Sequence, residues 1–146
     1  MTGVVVDASM ALAWCFPDES SDNADAVLIA LEGKTLFVPS IWPVEIANAV
    51  LVGERTKRLR QPEIQRFTAL LEGLSLAQDS QTVGEHISRV LPLAREYGLS
   101  AYDAAYLELS IRYEAPLATL DSKLQKAAKS AGVTIFRGAQ KPPFRS

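Results

Sequence analysis

Val4-Val5-Val6-Asp7-Ala8-Ser9 is the stretch on which the fold turns. Three successive β-branched residues without polar alternation describe a strand buried on both faces, as in a parallel sheet covered by helices. Asp7 follows that strand directly. Further along, short apolar runs alternate with longer amphipathic segments, the pattern of an α/β domain with a mainly parallel sheet. Ser20 or Ser21 caps a predicted helix that runs to Glu32 and closes at Gly33. Leu36-Phe37-Val38 is a second strand, ended by Pro39. Pro43 suits the first turn of a helix through Ile46, Ala49 and Val50 to Gly53. Pro62 does the same for a helix through Ile64, Phe67, Leu70 and Leu71 that stops at Gly73. A helix from Thr82 to Tyr97 is expected to bend or break at Pro92 and to end at Gly98. Then follow a helix from Ser100 to Tyr113, a strand at Leu117-Ala118, a helix from Asp121 to Ala131 and a strand at Val133-Thr134-Ile135-Phe136. Residues 1–137 read as one domain and 138–146 as a tail.

The chain has 146 residues, 48% of them hydrophobic and 22% charged, which suits a single domain with its own core. One cysteine leaves no internal disulfide, and one cysteine with one histidine builds no Cys/His zinc site. Cys15 reads as a small buried residue and His86 as a solvent-facing one. No targeting segment or membrane-length apolar run is visible, so a cytoplasmic protein is expected. Fifteen basic and seventeen acidic residues give a net charge of −2, at first sight against a nucleic-acid partner. The distribution says otherwise: residues 121–146 hold six basic side chains and one acid.

Ligands of parallel α/β sheets bind beyond the carboxyl ends of the strands. Four acids are expected there: Asp7 after the first strand, Glu45 in the first turn of the helix after the second, Asp103 in the first turn of the helix before the third, and Asp121 just after Leu117-Ala118-Thr119. Taken singly, each has an ordinary role, as a helix N-cap or an anion at a helix start. Together they would repel one another unless a cation neutralised them. Carboxylate oxygens suit Mg²⁺ or Mn²⁺, which activate water and stabilise a leaving oxygen in phosphodiester hydrolysis. A phospho-acceptor signalling domain also puts acids at strand ends. It would want paired acids at the first strand and a lysine after the last, where this chain has Asp7 alone and Arg137.

The flanks of the four acids are Val5-Val6-Asp7-Ala8-Ser9, Trp42-Pro43-Val44-Glu45-Ile46-Ala47-Asn48, Ser100-Ala101-Tyr102-Asp103-Ala104-Ala105-Tyr106 and Leu117-Ala118-Thr119-Leu120-Asp121. In this order and spacing the chain, from residue 3 to about 136, resembles a PIN-domain protein, and within that group the VapC toxins of toxin–antitoxin pairs. The resemblance implies a three-layer α/β/α fold with a four- or five-stranded parallel sheet, and an Mg²⁺- or Mn²⁺-dependent endoribonuclease. Asp7, Glu45, Asp103 and Asp121 match its acidic quartet. It also implies a homodimer and an antitoxin peptide laid in an apolar groove. A housekeeping PIN nuclease that matures RNA would carry the same residues. Ser9 and Thr119 match small polar residues that orient carboxylates or water. Asn48, one turn beyond Glu45, is placed to hydrogen-bond it. RNA grip falls to two basic clusters, Arg55, Lys57, Arg58 and Arg60, and Lys123, Lys126 and Lys129 with Arg137, and Arg58 and the three lysines are the foremost candidates.

Overall fold

Val4, Val5 and Val6 form β1 (Gly3–Val6), each at 1% exposure or less. In the computed structural model, which describes residues 3–138, Val5 enters one apolar core while Val4 and Val6 enter a second. Successive side chains of a strand point to opposite faces, so the two cores are the two sides of the sheet. β2 (Thr35–Val38) pairs with β1 in parallel, Gly3 opposite Thr35 and Val5 opposite Phe37. β4 (Leu117–Ala118) lies on its other side, Val5 opposite Leu117. β3 (Ser75–Gln78) pairs outside β2, Leu36 opposite Leu76. The order is β3-β2-β1-β4, all parallel.

Seven helices complete the described part: α1 (Ala8–Ala13), α2 (Asp22–Ala30), α3 (Trp42–Arg55), α4 (Gln61–Glu72), α5 (Val83–Tyr97), α6 (Ala101–Tyr113) and α7 (Ser122–Ser130). Met10 and Ala13 of α1 and Ala24 and Val27 of α2 fill one core; Trp42, Phe67, Leu107 and Leu124, from α3, α4, α6 and α7, fill the other. The expected three-layer architecture is therefore present, with four strands. α6 is buried from Ala104 through Ser110, so it lies inside the helical layer rather than on its surface. None of the helices is long and apolar enough to cross a membrane.

Local chemistry sets most boundaries. Ser21 accepts a hydrogen bond from the Ala24 amide at 3.0 Å, and Ser100 one from the Asp103 amide at 3.1 Å. Thr82 and Glu85 cap the start of α5 reciprocally.

Four expectations need correction. Val133–Phe136 makes only a bridge between Leu117 and Ile135, so β4 closes the sheet. The fourth strand is instead β3, whose Ser-Leu-Ala-Gln sequence lacks the β-branched and aromatic residues that mark strands. Pro92 does not break α5, which is continuous through it; it is exposed, on the side where water can hydrate the carbonyl that its missing N–H leaves unbonded. Gly53 does not end α3, which runs on to Arg55. The tail expected at 138–146 lies, apart from Gly138, outside the described residues.

Gly53 is needed because a Cβ there would lie 2.6 Å from the Phe16 ring, which is buried and covered by the Arg58 guanidinium at 4.3 Å. Helix propensity alone favours Gly53→Ala by ~1 kcal/mol, whereas forcing a methyl into a packed contact costs ~1–3 kcal/mol. We expect Gly53→Ala to be destabilising by about 1 kcal/mol, read as a lower urea midpoint with an unchanged m-value.

Candidate active site

Each strand delivers its next residues to one edge of the sheet. β1 delivers Asp7, which at 4% exposure is buried and is also the N-cap of α1. Its Oδ1 accepts from the Met10 amide at 3.0 Å and the Ser9 hydroxyl at 2.8 Å, and its Oδ2 accepts from the Thr119 hydroxyl, which arrives from the end of β4. Ser9 and Thr119 lie 3.3 Å apart and are fixed in turn by the Leu120 and Asp121 amides, each at 3.0 Å. Both hydroxyls donate to the Asp7 carboxylate. Asp121 caps α7 through the Lys123 and Leu124 amides, at 2.9 and 3.3 Å.

Glu45 and Asp103 enter from α3 and α6. The Glu45 carboxylate accepts a hydrogen bond from Tyr106, whose ring is buried on α6. Tyr106 was missed in the sequence; its signal was position, one turn after Asp103 on the same helix face. Asn48 does not take the part expected of it. Its side chain is exposed, and among the described residues no hydrogen bond joins it to Glu45.

Electrostatics tie the four acids together. Burial pushes the Asp7 carboxyl up to about 6, against the pull of Thr119, Met10 and Ser9, with Asp103 adding repulsion. Glu45 is raised by burial and by Asp103, with Tyr106 partly offsetting them. Asp103 is raised by burial and by Asp121, with Lys123 and Ser100 opposing. Burial and Glu45 hold the Tyr106 phenol protonated, so it stays a donor. A set of desolvated, mutually repelling carboxylates is a set that gains from a cation.

A fifth acid, Asp79, follows β3, and it shows the contrast. Burial pushes it up, but Arg112 at 2.6 Å and Tyr113 at 2.8 Å outweigh that and hold it below the usual range. It is a paired structural anion joining the sheet edge to α6.

Among the described residues no three acidic, His or Cys side chains converge into a ready metal cage. The donors still fit a hard divalent ion, since Mg²⁺ keeps most of its waters and takes one or two carboxylates directly. Asp7, Glu45, Asp103 and Asp121 are the residues that would hold it, some through water.

The PIN domain family pattern matches residues 4–130. The chain belongs to the PIN-domain family. It is 33% identical over 122 residues to Ribonuclease VapC3 of Pyrobaculum aerophilum, across 83% of this chain and 91% of that one. Among solved structures, PAE2754 from Pyrobaculum aerophilum superposes with a TM-score of 0.67 at 24% identity, over 92% of this chain and 83% of that one. VapBC2 from Rickettsia felis, bound to a DNA fragment from its promoter, gives 0.62 at 12% identity, over 92% and 98%. FitAcB from Neisseria gonorrhoeae gives 0.57 at 18%, over 91% and 96%. At these identities the structures share the fold.

Around this PIN site the basic residues divide. Lys123 follows Asp121 on α7, and its charge is felt at Asp103. Lys126 and Lys129 are exposed further along α7, with Lys126 beside Glu96 and Tyr97 at the end of α5. Arg58 is engaged elsewhere, with Asp18 at 2.9 Å and Glu19 at 2.7 Å. Cys15 is buried, its thiol pushed up to about 11 chiefly by that burial, which leaves it inert. His86 is half-buried rather than solvent-facing, and lines a cavity with Tyr102.

Two outcomes follow. Because Asp7 holds its proton more tightly in the folded chain than in the unfolded one, its contribution to stability falls as pH rises from about 4 to about 6, by roughly 3 kcal/mol. Asp7→Asn cannot ionise, so chemical unfolding without metal should show the variant gaining on the parent between pH 4 and pH 7. Tyr106→Phe should release Glu45 and lower metal affinity ~10–100-fold, read by calorimetric Mn²⁺ titration, with little change in the urea midpoint.

Proposed function

We propose that this chain is a divalent-metal-dependent endoribonuclease and the toxin of a toxin–antitoxin pair. The observation that carries the reading is Asp7, buried beside further acids without a basic partner, which is unfavourable until a cation arrives. When bound, Mg²⁺ or Mn²⁺ would supply an acidified water and a Lewis acid for the phosphodiester. The chain's own part is to orient donors: Ser9, Thr119 and the Met10 amide fix Asp7, and Tyr106 fixes Glu45. Lys123, Lys126 and Lys129 would meet RNA phosphates on the side of Asp121, and we leave Arg58, paired with two acids, out of that grip.

The toxin part rests on the likeness to Ribonuclease VapC3 and on the shared fold with VapBC2 and FitAcB. An antitoxin segment would fit the open apolar groove between α3 and α4, floored by Ile46, Val50, Ile64 and Phe67 and rimmed by Glu54 and Glu72. A second copy would fit the exposed stripe Val83, Ile87 and Leu91 on α5.

Purified protein should cut single-stranded RNA in Mg²⁺ or Mn²⁺ and stop when EDTA is added. Asp7→Asn and Asp103→Asn should each lose ~10²–10³-fold or more of that cleavage and remain folded by circular dichroism. Full cleavage by either variant would refute the metal assignment. Changing all three lysines to Gln should flatten the logarithmic salt dependence of RNA binding by about 2, since a single-strand phosphate contact contributes about 0.7. Expression should arrest growth, and co-expression of a small adjacent reading frame should relieve it; a housekeeping nuclease would do neither.

A further inference from the structure

A cavity of ≈ 290 Å³ lies between the starts of α3 and α6 and the side of α5. Tyr102, Ile41, Ser40, His86, Val90 and Ala105 line it. Tyr102 precedes Asp103 in the first turn of α6 and is 59% exposed, an unusual place for a tyrosine in a helix otherwise so buried. Ile41 lies one turn before Glu45, whose amide bonds its carbonyl at 3.0 Å, and Tyr102 lies one turn before Tyr106. The Tyr106–Glu45 hydrogen bond ties those two helices together. Ile41 and Tyr102, which line the cavity, therefore precede Glu45 on α3 and Tyr106 on α6 by about one helical turn, ~5.4 Å of rise.

We propose that this cavity takes the unpaired base of the nucleotide next to the scissile phosphate, and that Tyr102 is the surface on which it stacks. The volume is at the low end of the ~300–1,000 Å³ of small-molecule sites, which suits one flat ring system. Ile41, Val90 and Ala105 supply apolar walls, while the Ser40 hydroxyl and the His86 imidazole offer donors and acceptors to a base edge. Protein sites that read RNA sequence take splayed, unpaired bases onto aromatic rings. The protein then selects single-stranded or loop RNA, and its sequence preference is set at one position flanking the cut.

The proposal deepens the nuclease reading and rests on it, so binding and cleavage are measured separately. The probes are an unstructured twelve-nucleotide RNA and the same RNA made abasic at one position at a time. Cleavage by the parent protein in Mg²⁺ tests the nuclease reading alone. Fluorescence anisotropy in the Asp7→Asn background tests the cavity. There, Tyr102→Ala should weaken binding roughly 5- to 150-fold, the range that base–aromatic stacking spans. Tyr102→Phe, which keeps the ring, should recover most of that loss, and His86→Ala should change which base is preferred at the flanking position. The abasic RNA should cost the Asp7→Asn protein a similar factor and the Tyr102→Ala double variant nothing more, because the partners of one contact are not additive. Unchanged affinity in Tyr102→Ala, or losses that simply add, would overturn the proposal. So would a change in oligomeric mass on light scattering without a change in RNA affinity, which would assign Tyr102 to a second copy of the chain. If binding follows Tyr102 while the parent cuts nothing, the nuclease reading fails and the cavity stands.

Discussion

The carboxyl group of Asp7 is buried at the end of β1, and much of the rest is arranged around that cost. An isolated charge there is strongly unfavourable, and burial is the chief reason that Asp7 is pushed up to about 6. Three donors partly offset it, two from α1, the Met10 amide and the Ser9 hydroxyl, and one from just beyond β4, the Thr119 hydroxyl. The position of β4 next to β1 is thus fixed twice, by the pairing of Val5 with Leu117 and by the Thr119 hydroxyl on Asp7. A protein selected only for stability would place an apolar side chain at such a point. Keeping an acid there, with Glu45 and Asp103 raised beside it, is a local cost of the kind that clusters at functional sites.

The fold was legible where the sequence carried strong local signals. Val4-Val5-Val6 has no amphipathic reading and becomes the strand with a core on each face. Ser21, Thr82 and Ser100 mark helix starts because each side chain satisfies an amide that the helix leaves free. β3 was illegible because its stability comes from pairing with β2 and from Asp79, not from its own side chains. Val133–Phe136 misled for the opposite reason. Its residues favour a strand, yet β4 is only two residues long, and the segment pairs with it at Leu117 alone, through Thr134 and Phe136. Gly53 is a third type of failure, since only a distant contact with Phe16 distinguishes it from a helix stop.

The site was legible as four acids and illegible in how they are held. Ser9 and Thr119 are two positions from Asp7 and Asp121, and the resemblance to PIN-domain proteins pointed to them. Tyr106 is sixty-one residues from the carboxylate it serves, and only the packing of α6 against α3 joins them. The same distance in sequence explains the error at Asn48, which is near Glu45 on the helix but faces solvent. Asp79 reverses the lesson. It is at a strand's carboxyl end like Asp7, but Arg112 neutralises it, so location alone does not make an acid a metal ligand.

The net charge of −2 misleads for the same reason, because a sum discards partners. Several acids are already spent on basic groups in the folded chain: Asp18 and Glu19 on Arg58, Asp79 and Glu108 on Arg112, Glu85 on Arg89. What remains unneutralised at the sheet edge is the quartet, with Lys123 close enough to lower Asp103. A cation bound there would offset those acids, beside an α7 whose exposed lysines are already positive. The field that an approaching polyanion meets is set by that local balance within about a Debye length, ~8–10 Å in physiological salt, and not by the total charge. A chain that is acidic overall can therefore still present a basic face, and its total charge is no argument against a polyanion.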